Sequence, residues 1–298
     1  MAGPFLKWVG GKRQLLPAIN ARLPDMSNID RYIEPFVGGG AVLFHLLDKF
    51  EFDEVHIFDL NPELILCYET LRDDVEAVIT DLDRLILAYP SDNFEAQKTA
   101  YYGIREDWNH SVGEISQLSS HLRSERVAQT IFLNKTCFNG LFRVNRLGRF
   151  NTPIGRYLRP SFPNPEQLRD VSETLAQVQT HHGSFETSCE YMTPSTFAYF
   201  DPPYRPLSNT AAFTSYAKED FNDDGQRALA SFARRLDSTT SGVRLMLSNS
   251  DPRNSDPDDS FFDDLYAGFH IERVSATRAI NSNPTARGAI SELLITNY

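Results

Sequence analysis

The segment from residue 31 to residue 61 constrains the fold more than any other part of the sequence. A strand-like run at Arg31–Phe36 leads into the glycine turn Gly38–Gly40, an apolar run follows at Ala41–Leu47, and a second strand-like run covers Glu54–Phe58. Strand, glycine turn, helix and strand at this spacing predict one βαβ unit of a parallel sheet.

The same alternation returns towards the end of the sequence. Thr196–Phe200 and Val243–Leu247 are apolar runs typical of buried strands, and a helix is expected between them at about Asp224–Leu236. The last part of the chain predicts a hairpin formed by Phe269–Ile280 and Ile290–Tyr298.

The middle of the chain lacks this alternation. It reads as mostly helical and then passes into a basic, loop-rich segment. The predicted fold class is therefore α/β, a doubly wound sheet with a C-terminal β-hairpin and an inserted, mostly helical domain. We expect the α/β domain to cover residues 1–62 and 163–298, and the insertion to cover 63–162.

Charge is distributed unevenly along the chain. The net charge is −11, yet residues 1–22 hold four basic side chains and no acidic one, and residues 121–160 hold eight basic side chains and one acidic one. The rest of the chain carries a net charge of −22. This segregation predicts two basic surfaces on an acidic body, a pattern found in proteins that bind nucleic acid.

The sequence predicts neither a membrane partner nor a metal site. Its start lacks the apolar core of a signal peptide, and no run reaches the roughly 18 apolar residues of a membrane span. Cys67, Cys137 and Cys189 are far apart and lack the spacing of metal ligands.

The glycine turn lies where a parallel sheet binds its ligand, at the carboxyl end of a strand. Glycine permits positive φ and a close approach of the backbone to a ligand. No third glycine completes the pattern of dinucleotide oxidoreductases. Asp59, at the end of the next strand, can accept hydrogen bonds from ribose hydroxyls or cap the following helix.

The tetrapeptide Asp201–Tyr204 is the most specific motif. Its two prolines fix the backbone so that the Asp201 carboxylate and the carbonyl between the prolines point the same way. Together they can accept both N–H groups of an adenine amino group, which draws the nitrogen lone pair out of conjugation. Tyr204 offers a flat face on which an extruded base can stack. A rigid turn after a strand is the alternative.

Five segments together resemble the Dam-type adenine-N6 DNA methyltransferases, in the group whose recognition domain lies between the cofactor and catalytic motifs. They are Phe5–Lys12, Glu34–Gly40, Asn139–Asn145, Asp201–Tyr204 and the tail from Arg278 to Leu294. The resemblance implies a Rossmann-like methyltransferase sheet with an inserted DNA-recognition domain. It also implies methyl transfer from S-adenosyl-L-methionine to N6 of a flipped-out adenine in double-stranded DNA, within GATC.

The resemblance implies roles for single residues. The residues expected to grip the target base are Asp201, Pro202 and Tyr204, with Phe213 a candidate for its other face. The residues expected to bind the cofactor are Trp8, Lys12, Phe36, Gly38, Gly40, Asp59, Phe185 and Asp201. The residues expected to bind DNA are Lys7, Phe138, Asn139, Leu141, Arg143, Asn145 and Pro153. Ser184 departs from the pattern, because relatives usually have Asp before the phenylalanine beside the cofactor adenine.

Two other functions stay open. Methylation of an RNA adenine would use the same tetrapeptide, and a DNA-binding regulator with a decayed active site would keep the fold. Asp201 favours adenine over cytosine N4 or a glutamine amide, and the sequence has no Pro-Cys pair for cytosine C5 chemistry. We expect a monomer in the nucleoid-associated cytoplasm of a prokaryote or virus, with or without an endonuclease that shares its site.

Overall fold

The computed structural model describes residues 2–110, 115, 118–205, 221–277 and 289–298. Phe213 and residues 278–288 of the tail motif lie outside the described residues.

The secondary structure of the described residues is as follows. The helices are α1 (Leu16–Asn20), α2 (Ala41–Leu47), α3 (Pro62–Asp73), α4 (Val75–Ala88), α5 (Phe94–His110), α6 (Ser120–Thr136), α7 (Pro165–Leu175), α8 (Asp223–Thr239) and α9 (Phe261–Leu265). The strands are β1 (Arg31–Glu34), β2 (Glu54–Asp59), β3 (Val178–His182), β4 (Thr196–Phe200), β5 (Arg244–Ser250), β6 (His270–Thr277) and β7 (Ala289–Thr296). Within the described ranges, no helix has both the length and the apolar character of a membrane span.

The chain folds as two compact units. The first comprises Met1–Gly11, Gly38–Asp48 and Asn61–His182, and the second comprises Lys12–Val37, Lys49–Leu60 and Gly183–Tyr298. The first unit contains α2 to α7 and β3, so it is mostly helical. The assignment of residues 63–162 to DNA recognition concerns function and stays a prediction.

The described residues of the second unit include six strands in the order β2-β1-β4-β5-β7-β6. Strands β2, β1, β4 and β5 are parallel, whereas β7 runs antiparallel to both β5 and β6. Every residue of β4 is buried, as expected for a central parallel strand covered on both faces. The predicted α/β fold, with its Rossmann-like sheet and C-terminal antiparallel strand pair, is confirmed.

The order of the strands determines where a ligand can bind. Strand β1 lies between β2 and β4, so the strand order reverses beside it. Doubly wound sheets bind ligands at such a reversal, outside the carboxyl ends of the strands. Phe36 follows β1 and Asp201 follows β4, so both predicted site residues lie at this edge of the sheet.

Helix α8 packs on the sheet of the second unit. Leu229, Phe232 and Leu236 lie on one helical face and are buried in the core with the strands. The side chain of Asn222 accepts hydrogen bonds from the first backbone N–H groups of α8 and so caps its start. This helix is anchored before the chain continues into β5.

Strand β3 was not predicted from the sequence. Only Val178 of its five residues is buried, and the polar residues that follow it lack the alternation expected of a half-buried strand.

Candidate active site

Asp201 is the centre of a hydrogen-bonded group in the second unit. Its Oδ1 lies 2.8 Å from Lys12 Nζ and accepts a hydrogen bond of 2.9 Å from Ser248 Oγ. The side chains of Lys12 and Asp201 are 7% and 18% exposed, so the ion pair is largely withdrawn from water. Burial raises the pKa of Asp201, while the Lys12 ammonium and the Ser248 hydroxyl lower it. Both partners therefore favour the carboxylate, the form that accepts hydrogen bonds.

Tyr204 lies in the same group. The Lys12 ammonium lies 4.3 Å from the centroid of its ring, a cation–π contact, and its hydroxyl donates a 2.7 Å hydrogen bond to Glu292 Oε2. Lys12 was predicted to border the cofactor. It contacts both the acid and the aromatic ring of the Asp201–Tyr204 motif.

The backbone of this motif is also fixed from the neighbouring elements. Gln226 is fully buried on α8, and its Nε2 donates to the Pro203 carbonyl at 3.0 Å. Asn249 Nδ2 donates in turn to Gln226 Oε1 at 3.1 Å. Sequence reasoning did not select Ser248, Gln226, Asn249 or Glu292. For Ser248 and Asn249 the available signal was a polar run at the end of a predicted strand, and Glu292 lies in the tail motif without a role having been assigned to it.

Two predicted cofactor residues form an aromatic surface. Phe36 and Phe185 stack with ring centroids 5.5 Å apart and an interplanar angle of 26°, and Phe221 meets Phe36 edge-on at 5.7 Å. Phe36 is half-buried, whereas Phe185 is buried. Such a surface suits the planar base of a nucleoside.

Asp59 lies beside the segment that carries this aromatic surface. Its backbone carbonyl accepts a 3.1 Å hydrogen bond from the Gly183 N–H, two residues before Phe185. The side chain of Ser184, where Asp was expected, donates to Glu186 at 3.1 Å. The combination of aromatic faces and a half-buried acid fits a cofactor that carries a base and a ribose.

The glycine turn belongs to the first unit and is tightly packed. Gly40 has φ 71°, and a Cβ there would lie 2.6 Å from the hydroxyl oxygen of Tyr68. That hydroxyl donates a 3.0 Å hydrogen bond to the carbonyl of Gly38, which has φ 49°. Any other residue at position 40 would combine left-handed backbone strain with a steric clash. Trp8 also lies in this unit and stacks on Phe142 at 5.6 Å.

All the predicted DNA-contacting residues except Lys7 lie on the segment from residue 137 to residue 154 of the first unit, which doubles back on itself and is called the ribbon below. Two isolated antiparallel bridges, outside any strand, join Cys137 to Ile154 and Val144 to Phe150. A two-stranded β-ribbon is one of the elements that enter the major groove of DNA. The predicted residues Phe138, Asn139, Arg143, Asn145 and Pro153 are exposed on the ribbon, and Leu141 is half-buried.

Two residues of this ribbon also stabilise its shape. Asn145 Oδ1 accepts hydrogen bonds from the backbone N–H groups of Leu147 and Arg149, which defines the turn at the end of the ribbon. Arg143 Nε donates to Asn151 Oδ1 at 2.8 Å, so its exposed side chain is supported across the ribbon.

Lys7 is joined to the ribbon by Asn134. The buried Asn134 side chain accepts a 2.7 Å hydrogen bond from the Lys7 N–H and donates to the carbonyls of Lys7 and Gly140. The Lys7 ammonium lies 4.8 Å from the centroid of the Tyr157 ring. Sequence reasoning missed Asn134, whose signal was a single amide in an apolar stretch of helix.

Comparison with known proteins decides the family. The family described as D12 class N6 adenine-specific DNA methyltransferase matches residues 8–280. The chain belongs to this family. It is 48% identical to the type II methyltransferase M.MjaIII of Methanocaldococcus jannaschii over 99% of both chains. It is 38% identical to the type II methyltransferase M1.LlaDCHI of Lactococcus lactis over 99% of this chain and 95% of the relative. It is 33% identical to the DNA adenine methylase of Vibrio cholerae over 97% and 94%.

The sequence predicted two basic surfaces on this DNA methyltransferase. Two of the basic residues counted in them, Arg126 and Lys12, do not lie on a surface, so the prediction was wrong for these two. Arg126 is buried, pairs with Glu63 through both carboxylate oxygens and lies 4.1 Å from the centroid of the Trp108 ring. Lys12 is buried against Asp201. Arg126 and Lys12 each neutralise an acid that is largely withdrawn from water. The arginines that remain exposed are Arg143, Arg146, Arg149, Arg156 and Arg159. In the part of the chain that the structure describes, no cluster of His, Cys, Asp or Glu is arranged to hold a metal ion.

Proposed function

We propose that this adenine-N6 DNA methyltransferase uses S-adenosyl-L-methionine as its methyl donor and modifies adenine within GATC or a longer site that contains GAT. The observation that carries the proposal is the Asp201 carboxylate, largely withdrawn from water, ion-paired with Lys12 at 2.8 Å and placed directly after β4 in the Asp201–Tyr204 motif. This carboxylate can accept hydrogen bonds from an exocyclic amine. It cannot act as an electrophile, so the methyl group must come from a bound donor.

The chemistry requires a flipped base and a positioned amine. When bound, S-adenosylmethionine supplies an electrophilic methyl group. The adenine N6 atom would form the new N–C bond as the C–S bond breaks, S-adenosylhomocysteine would leave with the electron pair of that bond, and N6 would release one proton to solvent. Asp201 and the carbonyl of Pro202 orient the two N–H groups, so that the lone pair of N6 faces the methyl carbon. Tyr204 stacks on the base once it has left the duplex. Positioning and electrostatics of this kind need no nucleophilic side chain.

We propose that the cofactor-binding residues are those named from the family resemblance. The stacked Phe36 and Phe185 rings would hold the cofactor adenine, and Asp59 would accept hydrogen bonds from the ribose hydroxyls. Trp8, Lys12, Gly38, Gly40 and Asp201 would complete the set.

Replacing Asp59 with alanine should weaken cofactor binding. A hydrogen bond to a charged group contributes about 1.5–3 kcal/mol, so the dissociation constant should rise about tenfold or more. Isothermal titration calorimetry with S-adenosylmethionine measures this change. Asp53→Ala, an exposed acid just before β2, is the matched control and should bind as the wild type does. Equal affinity for Asp59→Ala and wild type would leave Asp59 with a purely structural role.

We propose that the ribbon around Arg143 reads the sequence of double-stranded DNA, with Lys7, Phe138, Asn139, Leu141, Asn145 and Pro153. An arginine can bind O6 and N7 of guanine bidentately, which separates guanine from the other bases in the major groove. Exposed arginines elsewhere on the same segment are expected to contact phosphates, which fixes position without reading sequence.

Replacing Arg143 with alanine should reduce specificity at one base pair. The binding free energy should fall by about 1–3 kcal/mol on the cognate site and by much less on unrelated DNA. Arg156→Ala is the matched control, because loss of a phosphate contact weakens cognate and random DNA alike and lowers the salt dependence by about one charge.

One methyl-transfer assay tests both the Arg143 prediction and the proposed function as a whole. Transfer of a labelled methyl group from S-adenosylmethionine is measured at fixed salt on duplexes that contain GATC and on all its single-base variants. We expect transfer to GATC duplexes to exceed transfer to the variants. Equal rates on GATC and on every single-base variant of the site would overturn the GATC proposal. If Arg143→Ala lowered the rate equally on all these duplexes, Arg143 would not contact a base and another residue would have to read it.

The relatives also support a setting for the enzyme. They come from prokaryotes and a phage, and two are named type II methyltransferases. We propose a monomer in the nucleoid-associated cytoplasm of a prokaryote or virus, with or without an endonuclease that shares its site and does not bind the enzyme stably.

A further inference from the structure

Glu292 lies on β7, far along the chain from the motif it contacts. It pairs in register with Ser250 of β5 on one side and Val274 of β6 on the other, and its neighbour Leu293 is fully buried. Its backbone is therefore fixed by two ladders and by the core. Its carboxyl oxygen Oε2 accepts the 2.7 Å hydrogen bond from the Tyr204 hydroxyl.

The direction of this hydrogen bond is determined by the surroundings of Tyr204. Burial raises the pKa of the phenol well above its usual value, and the charges of Asp201 and Glu292 raise it further. The hydroxyl consequently keeps its proton and acts as the donor.

The hydrogen bond restricts the ring of Tyr204. The preceding prolines fix the backbone on one side, and Glu292 fixes the far end of the side chain. The phenol oxygen lies on the axis about which the ring rotates, so the hydrogen bond fixes the direction of that axis. Because the phenol O–H bond prefers to lie in the plane of the ring, an acceptor held in one place also favours one ring plane, and less rotational freedom is lost when a base stacks on it.

We propose that Glu292 is a positioning residue for methyl transfer, which holds the ring of Tyr204 in the plane on which the target adenine stacks. The inference rests on the proposed function, in which Tyr204 receives the flipped base. It assigns a catalytic contribution to the antiparallel strand pair at the end of the chain.

The test uses the full chain, four single variants and the double variant that combines Tyr204→Phe with Glu292→Met. Glu292→Met removes the acceptor, Glu292→Gln keeps an acceptor oxygen, and Tyr204→Phe removes the donor. Glu272→Met is the matched control, because Glu272 is an exposed acid on β6 that pairs with Arg22. The methylated sequence is first mapped on wild-type-treated DNA, and 2-aminopurine is then placed at the target position. Stacking on an aromatic ring quenches this probe.

We expect Glu292→Met to lower the single-turnover rate constant about tenfold, with DNA affinity within about twofold of wild type. The bound 2-aminopurine should fluoresce more brightly than in the wild-type complex. Glu292→Gln should restore most of the rate and the quenching, and Glu272→Met should match wild type. In the Tyr204→Phe background, Glu292→Met should add no further loss, because the contact is already absent.

Two outcomes overturn the inference in different ways. If wild type is active and Glu292→Met matches it in rate and fluorescence, Glu292 does not position the ring. If wild type transfers no methyl group to DNA, the proposed function fails and the inference fails with it. Should Glu292→Met not fold, Tyr204→Phe decides alone, since it must reproduce the slower rate and the brighter probe.

Discussion

Replacing Asp201 with alanine should abolish methyl transfer while DNA binding persists. The carboxylate acts on the amino group mainly as the reaction proceeds, so its loss should reduce kcat more than affinity. Removing one preorganised electrostatic partner of a reacting group typically costs about 2.7–4 kcal/mol, or a hundredfold to a thousandfold in rate.

The structure identifies the control that this experiment needs. Asp201→Ala leaves the buried Lys12 ammonium without its 2.8 Å partner, so folding must be measured separately by thermal unfolding. Asp201→Asn fills the same volume without the negative charge and separates packing from charge. Turnover above about a tenth of wild type in a folded Asp201→Ala protein would remove Asp201 from the mechanism.

Replacing Lys12 with methionine should shift the pH dependence of methyl transfer to higher pH. Burial already raises the pKa of Asp201, and the ammonium of Lys12 is the main group that lowers it. Without Lys12 the pKa of Asp201 rises further, so the carboxyl is protonated at pH values where the wild-type group is ionised. A protonated Asp201 loses acceptor capacity towards N6, and the rate falls as the pH is lowered.

The measurement is the single-turnover rate constant between pH 5.5 and pH 9. We compare the rate at pH 6 divided by the rate at pH 8.5. For Lys12→Met this ratio should be at least about tenfold smaller than for wild type. Lys12→Arg retains the positive charge and should keep the acid limb closer to its wild-type position. An unchanged pH profile for Lys12→Met would show that Lys12 does not set the charge of Asp201.

The main elements of the fold could be predicted because each left a local pattern. The βαβ unit, the buried strand β4 and the C-terminal strand pair combine apolar periodicity with glycine or proline boundaries. Strand β3 escaped prediction because only Val178 is buried, which leaves no alternation to detect.

The site was predictable only where a motif is contiguous. Asp201 to Tyr204 could be recognised because four consecutive residues define it. Ser248 and Glu292 contact that motif only after β5 and β7 have joined the sheet, 47 and 88 residues away along the chain. A single sequence gives no sign of such contacts. The surplus of basic residues was informative as a whole, yet it could not separate Arg126, which is buried and neutralises Glu63, from the exposed arginines.

Identification of the methylated atom tests the account most directly. Double-stranded DNA and RNA are incubated separately with the protein and S-adenosylmethionine carrying a labelled methyl group, digested to nucleosides and separated. We predict that all the label recovered from DNA lies in N6-methyl-2′-deoxyadenosine, that RNA is unlabelled, and that Asp201→Ala transfers label at about a hundredth of the wild-type rate or less. Label in N4-methylcytosine or in RNA nucleosides, or an Asp201→Ala protein that keeps more than about a tenth of wild-type turnover, would contradict the account.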